Sequence, residues 1–295
     1  MDKVQNGKVI KGVGGKYSVI SNGKKYDCFV QKKVRYFYDE VMVGDNVHFA
    51  RMGKTHVITA ILPRINNLNR PAVSNVDKVL VVIAPKPEPD LCLVDKLIVN
   101  CNKQSVPVTL IINKLDIAEE PFVSQITSQY KTEVQSVITV SSLTGQGMTQ
   151  LVEETREKTV CLCGQSAVGK TSILNVLSPN VNMPTGELSA KTDRGKHTTR
   201  HNQIFALNNG GFVVDTAGFS LFELTEDVKP EELCLYFYDF FQLSGNCRFK
   251  MCTHTAEPDC AVKKAVEKDQ RLSQKYKRYL AIYNELKERD ERKFD

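Results

Sequence analysis

The chain has 295 residues, of which 41% are hydrophobic and 25% are charged, and its formal net charge is +6 at pH 7. The length predicts two or three domains. The composition is typical of a folded globular protein and excludes bulk disorder. The longest apolar run, residues 79–84, is far shorter than the roughly 20 residues that span a bilayer, and the first ten residues contain no hydrophobic signal region. We therefore expect a cytoplasmic protein that does not bind a membrane.

Residues 1–65 are predicted to form a small β-barrel of the oligonucleotide-binding type. Short β-rich stretches alternate there with turns such as Asn22-Gly23, a spacing typical of such barrels. The stretches are residues 8–10, 17–20, 26–30, 46–50 and 57–62. The aromatic run Tyr36, Phe37 and Tyr38 stands among the cations Lys32, Lys33 and Arg35. This run predicts either a surface that stacks bases and neutralises phosphates or rings that belong to the barrel core.

The positive charge is concentrated at the two ends of the chain. Residues 1–65 and 261–295 have an excess of Lys and Arg, residues 66–222 are balanced, and residues 223–260 are acidic. Two basic ends are suited to gripping a polyanion, because neutralisation of phosphates supplies most sequence-independent affinity for nucleic acid. A role of the charge in solubility alone explains the same distribution.

Residues 66–222 are predicted to form an α/β domain with a parallel sheet. Apolar, β-branched runs of the kind found in buried parallel strands alternate with helical stretches. The runs occupy residues 79–84, 108–112, 137–140, 159–163 and 212–214. Residues 223–295 contain a cluster of Cys and His and then a charged segment with helical spacing, which predicts a third, metal-binding domain with a C-terminal helix.

Residues 164–171 match the pattern G-x-x-x-x-G-K-[ST] and lie between a predicted strand and a predicted helix. In such a P-loop the backbone N–H groups surround phosphates, Lys170 reaches the β and γ oxygens, and Thr171 holds Mg²⁺. The predicted phosphate-binding residues are Gly164, Gln165, Ser166, Ala167, Val168, Gly169, Lys170, Thr171 and Ser172.

Two further loops predict selectivity for guanine. Asn113-Lys114-Leu115-Asp116 fits N-K-x-D, and only guanine offers both a ring N–H and an exocyclic amino group to the Asp116 carboxylate. Asn113 would tie neighbouring loops together, and the Lys114 stem would cover the base. Ser141 and Ser142 resemble the S-A loop that contacts the guanine oxygen, with Ser142 where Ala is usual.

The loops around the γ-phosphate are predicted at residues 194–200 and 215–218. Asp215-Thr216-Ala217-Gly218 fits D-x-x-G, with Asp215 near Mg²⁺ through water and the Gly218 N–H on the γ-phosphate. In the polar segment 194–200, Thr199 is the predicted second Mg²⁺ ligand and Thr198 the next choice.

The order of these motifs indicates a circular permutation. Ordinary GTPases run from P-loop to D-x-x-G to N-K-x-D, whereas here the N-K-x-D strand comes first. A parallel sheet tolerates such a rearrangement when the old ends are joined and a new break is opened. The chain after Gly218 then leads directly into the Cys/His segment. We expect loss of the γ-phosphate to be transmitted to that segment as motion.

Cys247-x₄-Cys252-x-His254-x₅-Cys260 predicts a structural Zn²⁺ site. Three thiolates and one imidazole close a tetrahedron and leave no position for a reactive water. Such a site supplies about 10 to 16 kcal/mol of folding free energy, which a segment with a small core needs.

With the barrel before the permuted motifs and this cluster after them, the whole chain resembles the small ribosomal subunit biogenesis GTPase family, called RsgA or YjeQ. The segments R-G-K-H-T-T, D-T-A-G-F and the C-A-V that starts at Cys260 are similar to its signatures, while Ala217 and Ser142 depart from them. The resemblance implies a cytoplasmic bacterial enzyme that hydrolyses GTP to GDP and phosphate. It also implies a monomer that binds the 30S subunit and its 16S rRNA late in maturation and is stimulated by that subunit.

Two other functions fit parts of the same sequence. One is a translation or signalling GTPase whose stimulator is a protein. The other is an RNA-binding module in which GTP is only a structural ligand, because Phe219 stands where many GTPases carry the Gln that orients water. The intact Lys170, Thr171 and Asp215 argue against the second.

Since Phe219 cannot orient water, His197 in the loop 194–200 is the predicted catalytic group. A His197→Ala variant is expected to lose GTP turnover while its nucleotide affinity changes little, because an imidazole that acts on water contributes only to the reaction. Single-turnover hydrolysis and nucleotide titration measure the two effects. Unchanged stimulated turnover would instead make His197 an ordinary exposed loop residue.

Overall fold

The structure, a computed structural model, describes residues 3–37, 40–69, 72–178, 203–215 and 228–292. The chain divides into two compact units, each assembled from segments that are distant in sequence. The first unit draws on Met1–Val79, Thr149–Cys163 and Lys170–Phe219, and the second on Leu80–Met148, Gly164–Gly169 and Ser220–Asp295. The division into domains at residues 1–65, 66–222 and 223–295 stays a prediction.

The predicted strands are present, and the structure adds the short strands Asn67–Asn69, Ala72–Ser74 and Gln203–Ala206 and the helix Lys32–Phe37. The strands are β1 (Gln5–Val13), β2 (Lys16–Ser21), β3 (Lys24–Val30), β4 (Asn46–Met52), β5 (Thr55–Ile61), β6 (Asn67–Asn69), β7 (Ala72–Ser74), β8 (Lys78–Ile83), β9 (Val108–Ile112), β10 (Ser136–Thr139), β11 (Thr159–Cys163), β12 (Gln203–Ala206) and β13 (Phe212–Asp215). The helices are α1 (Lys32–Phe37), α2 (Leu91–Lys103), α3 (Glu120–Tyr130), α4 (Met148–Glu154), α5 (Lys170–Leu177), α6 (Tyr238–Ser244), α7 (Ala261–Val266) and α8 (Gln270–Glu291). A 3₁₀ helix, Pro230–Tyr236, precedes α6. Among the described residues, no helix is both long enough and apolar enough to cross a membrane.

The first unit begins with a closed five-stranded barrel, as predicted. Its strands pair in the order β1-β2-β3-β5-β4, and β4 returns to pair with β1. Asn22 and Gly23 both adopt positive φ, the backbone that a two-residue hairpin between β2 and β3 needs. Alternating side chains fill the interior, among them Val9, Val19 and Phe49. The barrel has the closure of the oligonucleotide-binding fold.

The surface proposed for base stacking is only partly described. Lys32 and Lys33 are exposed at the start of α1. Tyr38 and the side chains of Arg35, Tyr36 and Phe37 lie outside the described part of the chain, so the choice between a stacking surface and a core stays open.

Within the first unit, the barrel is joined to the strands that carry the nucleotide loops. Strand β13 pairs with β11 in parallel and with β12 in antiparallel orientation, and β12 meets β1 at the pair Lys11 and Gln203. The Lys8 ammonium donates to Thr159 Oγ1 at 3.0 Å and lies 5.6 Å from the centre of the Phe212 ring. Burial lowers the pKa of Lys8. Lys8 therefore ties the barrel to the first residues of β11 and β13.

In the second unit the strands β10, β9 and β8 are neighbours in that order, with β9 and β10 parallel. The C-terminal helices share a core whose members include Leu233, Phe237, Phe240, Tyr279 and Ile282. Helix α8 packs against both α2 and α3. The predicted helical segment 261–293 is interrupted between α7 and α8, where the Asp269 carboxylate accepts from the N–H groups of Arg271 and Leu272 and starts α8.

A buried ion-pair network attaches α8 to the rest of this unit. The Lys275 ammonium is 1% exposed and donates to Glu133 at 2.7 Å and to Asp239 at 2.6 Å. Glu133 also accepts from the backbone N–H of Tyr238 at 2.8 Å. Three charges are thus removed from water together, which is tolerable only while each keeps its partners.

A Lys275→Ala variant is expected to lose about 3 to 5 kcal/mol of unfolding free energy, because two buried carboxylates lose their shared cation. Denaturant titration measures the loss. Lys277→Ala, an exposed position on the same helix, is the matched control and should stay within about 0.5 kcal/mol of the parent. Equal stability of the two variants would show that the network contributes nothing.

Candidate functional site

The P-loop follows β11 directly, and its two glycines are demanded by their surroundings. Gly164 has φ +131°, and a Cβ there would stand 2.1 Å from the carbonyl oxygen of Val82. Gly169 has φ +95°, and a Cβ there would stand 2.2 Å from the amide nitrogen of Asn113. Neither position has room for a side chain. The loop ends at Lys170, where α5 begins, so the positive end of a helix dipole faces the loop.

Asn113 joins two loops that are distant in sequence. It is fully buried at the end of β9. Its Nδ2 donates to the carbonyl oxygen of Val168 in the P-loop at 2.8 Å, and its Oδ1 accepts from the backbone N–H of Ser142 at 3.1 Å. One amide therefore uses its donor and its acceptor to hold the P-loop beside the Ser141-Ser142 loop.

Lys114 and Asp116 are arranged in the same loop. Lys114 adopts a left-handed backbone with φ +61°, and its ammonium donates to the carbonyl oxygens of Lys86 at 2.7 Å and Ala167 at 2.8 Å. Anchored at its end, the Lys114 stem is stretched across the P-loop. Asp116 is exposed, and its Oδ1 accepts a close hydrogen bond from the Ser141 hydroxyl. The carboxylate is thus oriented yet accessible to a ligand.

The side chain of Gln165 has a task that the sequence did not reveal. Its Oε1 accepts from the backbone N–H of Asp90 at 2.9 Å, and the Asp90 carboxylate caps α2 through the N–H of Leu93 at 3.0 Å. The second residue of the P-loop is therefore tied to the start of α2. No motif links positions 75 residues apart, which is why the sequence pattern did not show this bond.

Cys161 and Cys163, next to the P-loop, are core residues. Both are buried, with their sulfur atoms 3.7 Å apart. Burial and the neighbouring Cys161 raise the pKa of the Cys163 thiol well above its usual value. Cys163 is therefore not an activated nucleophile.

The predicted γ-phosphate loops are not described. His197, Thr198, Thr199, Gly218 and Phe219 lie outside the described residues, as does the side chain of Asp215, although the backbone of Asp215 ends β13. Their predicted roles stay predictions.

The four predicted metal ligands come together in the C-terminal segment. The ligand atoms of Cys247, Cys252, His254 and Cys260 all lie within 4.8 Å of one another. The sulfur atoms of Cys247 and Cys260 are 3.9 Å apart, close to the roughly 3.8 Å that a tetrahedral Zn²⁺ with Zn–S of about 2.3 Å requires. His254 Nδ1 lies 3.3 Å from Cys260 Sγ and 3.7 Å from Cys247 Sγ. The donor set and its spacing fit one Zn²⁺.

The loop that carries His254 is held from both sides. Burial alone would raise the pKa of Glu257, but hydrogen bonds from the Thr253 hydroxyl and from backbone N–H groups, including those of Thr253 and Thr255, lower it to about 2. The hydroxyl of Tyr279 donates to the Thr253 carbonyl at 2.8 Å. Backbone N–H groups also point at two of the thiols, from Ala261 to Cys247 Sγ at 3.3 Å and from Lys263 to Cys260 Sγ at 3.5 Å. These hydrogen bonds hold the loop and two of the ligand sulfur atoms in place.

These features define a class of protein: a P-loop GTPase in which the strand before the N-K-x-D loop precedes the strand before the P-loop, with a barrel ahead of both and a Cys₃His cluster after them. The family model for the RsgA GTPase matches residues 61–225. The chain belongs to the RsgA GTPase family, and it is an enzyme that hydrolyses GTP.

Similarity extends over the full chain. A relative from Caldanaerobacter subterraneus subsp. tengcongensis is 36% identical, over 100% of this chain and 99% of the relative. A second from Alkaliphilus metalliredigens is 38% identical, over 96% and 98%. Both are named small ribosomal subunit biogenesis GTPase RsgA.

Two solved structures share the fold at 30% sequence identity. The crystal structure of YjeQ from Thermotoga maritima matches with a TM-score of 0.81, over 96% of this chain and 99% of that one. The crystal structure of YloQ, described as a circularly permuted GTPase, matches with a TM-score of 0.79, over 97% and 96%.

An Asp116→Asn variant is expected to lose the preference for guanine and to prefer xanthine instead. The amide oxygen still accepts from the ring N–H, but the amide N–H₂ opposes the amino group of guanine and suits the carbonyl of xanthine. GTP affinity should fall by about 10-fold or more, the worth of a hydrogen bond to a charged group, while XTP affinity rises. Nucleotide titration measures both.

Glu119→Gln is the matched control, since it removes one carboxylate charge from an exposed position three residues away. It should leave the preference for GTP unchanged. If Asp116→Asn also leaves it unchanged, Asp116 does not contact the base.

Proposed function

We propose that the protein hydrolyses GTP while bound to the 30S ribosomal subunit and that it acts late in the maturation of that subunit. The observation that carries the proposal is the extent of the relationship to relatives named for small-subunit biogenesis, which takes in the barrel, the nucleotide loops and the Cys₃His cluster together. Similarity to those relatives in the nucleotide loops alone would indicate a GTPase but would not indicate its role.

In this proposal the nucleotide is held at both ends. The P-loop N–H groups and Lys170 bind the phosphates, and Asp116, oriented by the Ser141 hydroxyl, reads the guanine edge. Asn113 supports this reading by keeping the two loops adjacent. The anchored stem of Lys114 covers the base.

Two hydroxyls, those of Thr171 and Thr199, would hold Mg²⁺. Hydroxyl oxygens suit a hard cation, and Thr171 lies in the first turn of α5, beside the end of the phosphate-binding loop. A Mg²⁺ held there would neutralise charge that develops on the γ-phosphate. Asp215 and the Gly218 N–H would complete the surroundings of that phosphate, and His197 would orient the attacking water.

The barrel is proposed to contact 16S rRNA. It presents exposed cations around its rim, with Phe29 also exposed for stacking. The exposed cations of the described barrel residues are Lys3, Lys16, Lys24, Lys25, Lys32, Lys33, Arg51 and Lys54. Because these side chains face water, a phosphate backbone gains more from them than a neutral protein surface does.

The Cys₃His cluster is proposed to be a structural zinc site. Four protein ligands leave no open position, so the bound ion supplies folding free energy and no chemistry. We expect the protein to act as a monomer in the cytoplasm.

The test is GTP turnover with and without purified 30S particles across a salt series. Stimulation is expected at low salt and should fall as salt rises, because phosphate contacts release counterions. A Lys24→Ala/Lys25→Ala variant should keep its unstimulated turnover and lose about one to two units from the slope of log affinity for 30S against log salt.

The matched control is Lys131→Ala/Arg156→Ala, which removes two exposed cations from the electrically balanced segment. It should bind 30S with the parent's salt slope. Stimulation by a ribosome-free protein fraction but not by 30S particles would point to the protein-stimulated GTPase instead.

A further inference from the structure

Both ring nitrogens of His254 lie against sulfur. Nδ1 faces the cluster, at 3.3 Å from Cys260 Sγ. Nε2 points the other way and lies 2.9 Å from the sulfur of Cys234. Cys234 is not one of the cysteines with metal-ligand spacing, and the second contact therefore needs a separate explanation.

Cys234 occupies a fixed place in the fold. It lies in the 3₁₀ helix Pro230–Tyr236, is 6% exposed, and belongs to the apolar core that also contains Leu233 and Phe237. It is not a member of the set of four donor atoms that lie within 4.8 Å of one another. Its sulfur therefore contacts the cluster only at the imidazole of His254 and is not placed as a further ligand.

The chemistry of a metal-bound imidazole gives this contact a role. A neutral imidazole binds a metal through the lone pair of one nitrogen and carries its proton on the other, and an acceptor for that N–H fixes which nitrogen is which. His254 is fully buried, so an N–H left without a protein acceptor there would be costly. Thiol sulfur is a weak acceptor that is adequate where water is excluded.

We propose that Cys234 is a positioning residue of the zinc site: its sulfur accepts the Nε2–H hydrogen bond of His254 and so directs Nδ1 towards the metal. The inference rests on the proposed zinc site and adds a fourth cysteine with a different task. Without the acceptor, the ring is free to present either nitrogen, and the metal loses part of its prearranged site.

The test uses the full-length protein, stripped of metal and reloaded. Zinc affinity is measured by competition with a chromophoric chelator, and the Co²⁺-loaded protein reports the number of thiolate ligands through its charge-transfer absorption. Cys234→Ala removes the acceptor, and Cys234→Ser replaces it with a hydroxyl. Cys101→Ala, a buried cysteine on α2 outside the cluster, is the matched control, and GTP affinity reports that each variant is folded.

Cys234→Ala is expected to bind zinc 10- to 100-fold more weakly, the usual effect of losing a partner of a metal ligand. Cys234→Ser and Cys101→Ala should stay within a few-fold of the parent. All variants should keep the parent's Co²⁺ absorption, because the three thiolates are unchanged. If the parent protein binds no zinc, the proposed metal site itself is refuted. That result is distinct from a parent that binds zinc while the Cys234 variants show no effect.

Three outcomes would overturn the proposal. Cys234→Ala and Cys234→Ser that are equally weak would show a packing role, and parent-like affinity of Cys234→Ala would show no role. Weaker thiolate absorption in Cys234→Ser would make Cys234 a ligand. Should Cys234→Ala fail to fold, long-range ¹H–¹⁵N spectra of the zinc-loaded parent decide: a protonated Nε2 on His254 supports the proposal, and a metal on Nε2 refutes it.

Discussion

The nucleotide site depends on one buried amide. Asn113 donates to the P-loop and accepts from the Ser141-Ser142 loop, and it does so in a chain whose motifs occur in an altered order. In this chain the P-loop comes after Asn113, whereas in ordinary GTPases it comes before the corresponding asparagine. Chain connectivity therefore cannot be what aligns these loops. The hydrogen bonds of the buried Asn113 side chain align them instead.

Gly169 shows how closely this arrangement is fitted. A Cβ at that position would meet the amide nitrogen of Asn113 at 2.2 Å, so the glycine of the P-loop motif leaves room for the neighbouring loop. The same reasoning applies at Gly164, where the carbonyl oxygen of Val82 occupies the space of a side chain. Packing thus requires both glycines of the motif, against strand β8 at Gly164 and against the Asn113 loop at Gly169.

Most of the fold and the cluster of metal ligands could be predicted from the sequence because their signals are local. Apolar runs, turns such as Asn22-Gly23, and ligands spaced within one short segment each depend on neighbours in the chain. The contacts that could not be predicted join distant segments. Lys8 reaches Thr159, Lys275 reaches Glu133, and Cys234 reaches His254, and each pairing exists only because packing brings two elements together.

These long-range contacts also limit how a signal can pass from the nucleotide to the C-terminal segment. That segment belongs to the same compact unit as the strand bearing Asn113, and Lys275 and Arg278 on α8 pair with Glu133 and Asp95. A movement of the C-terminal segment by itself would leave buried charges without their partners, and a buried charge that loses its partner costs about 3 to 5 kcal/mol. A coupling free energy between two sites is typically about 1 to 3 kcal/mol, too little for that. We therefore expect the predicted response to loss of the γ-phosphate to involve the second unit as a whole, with these ion pairs intact.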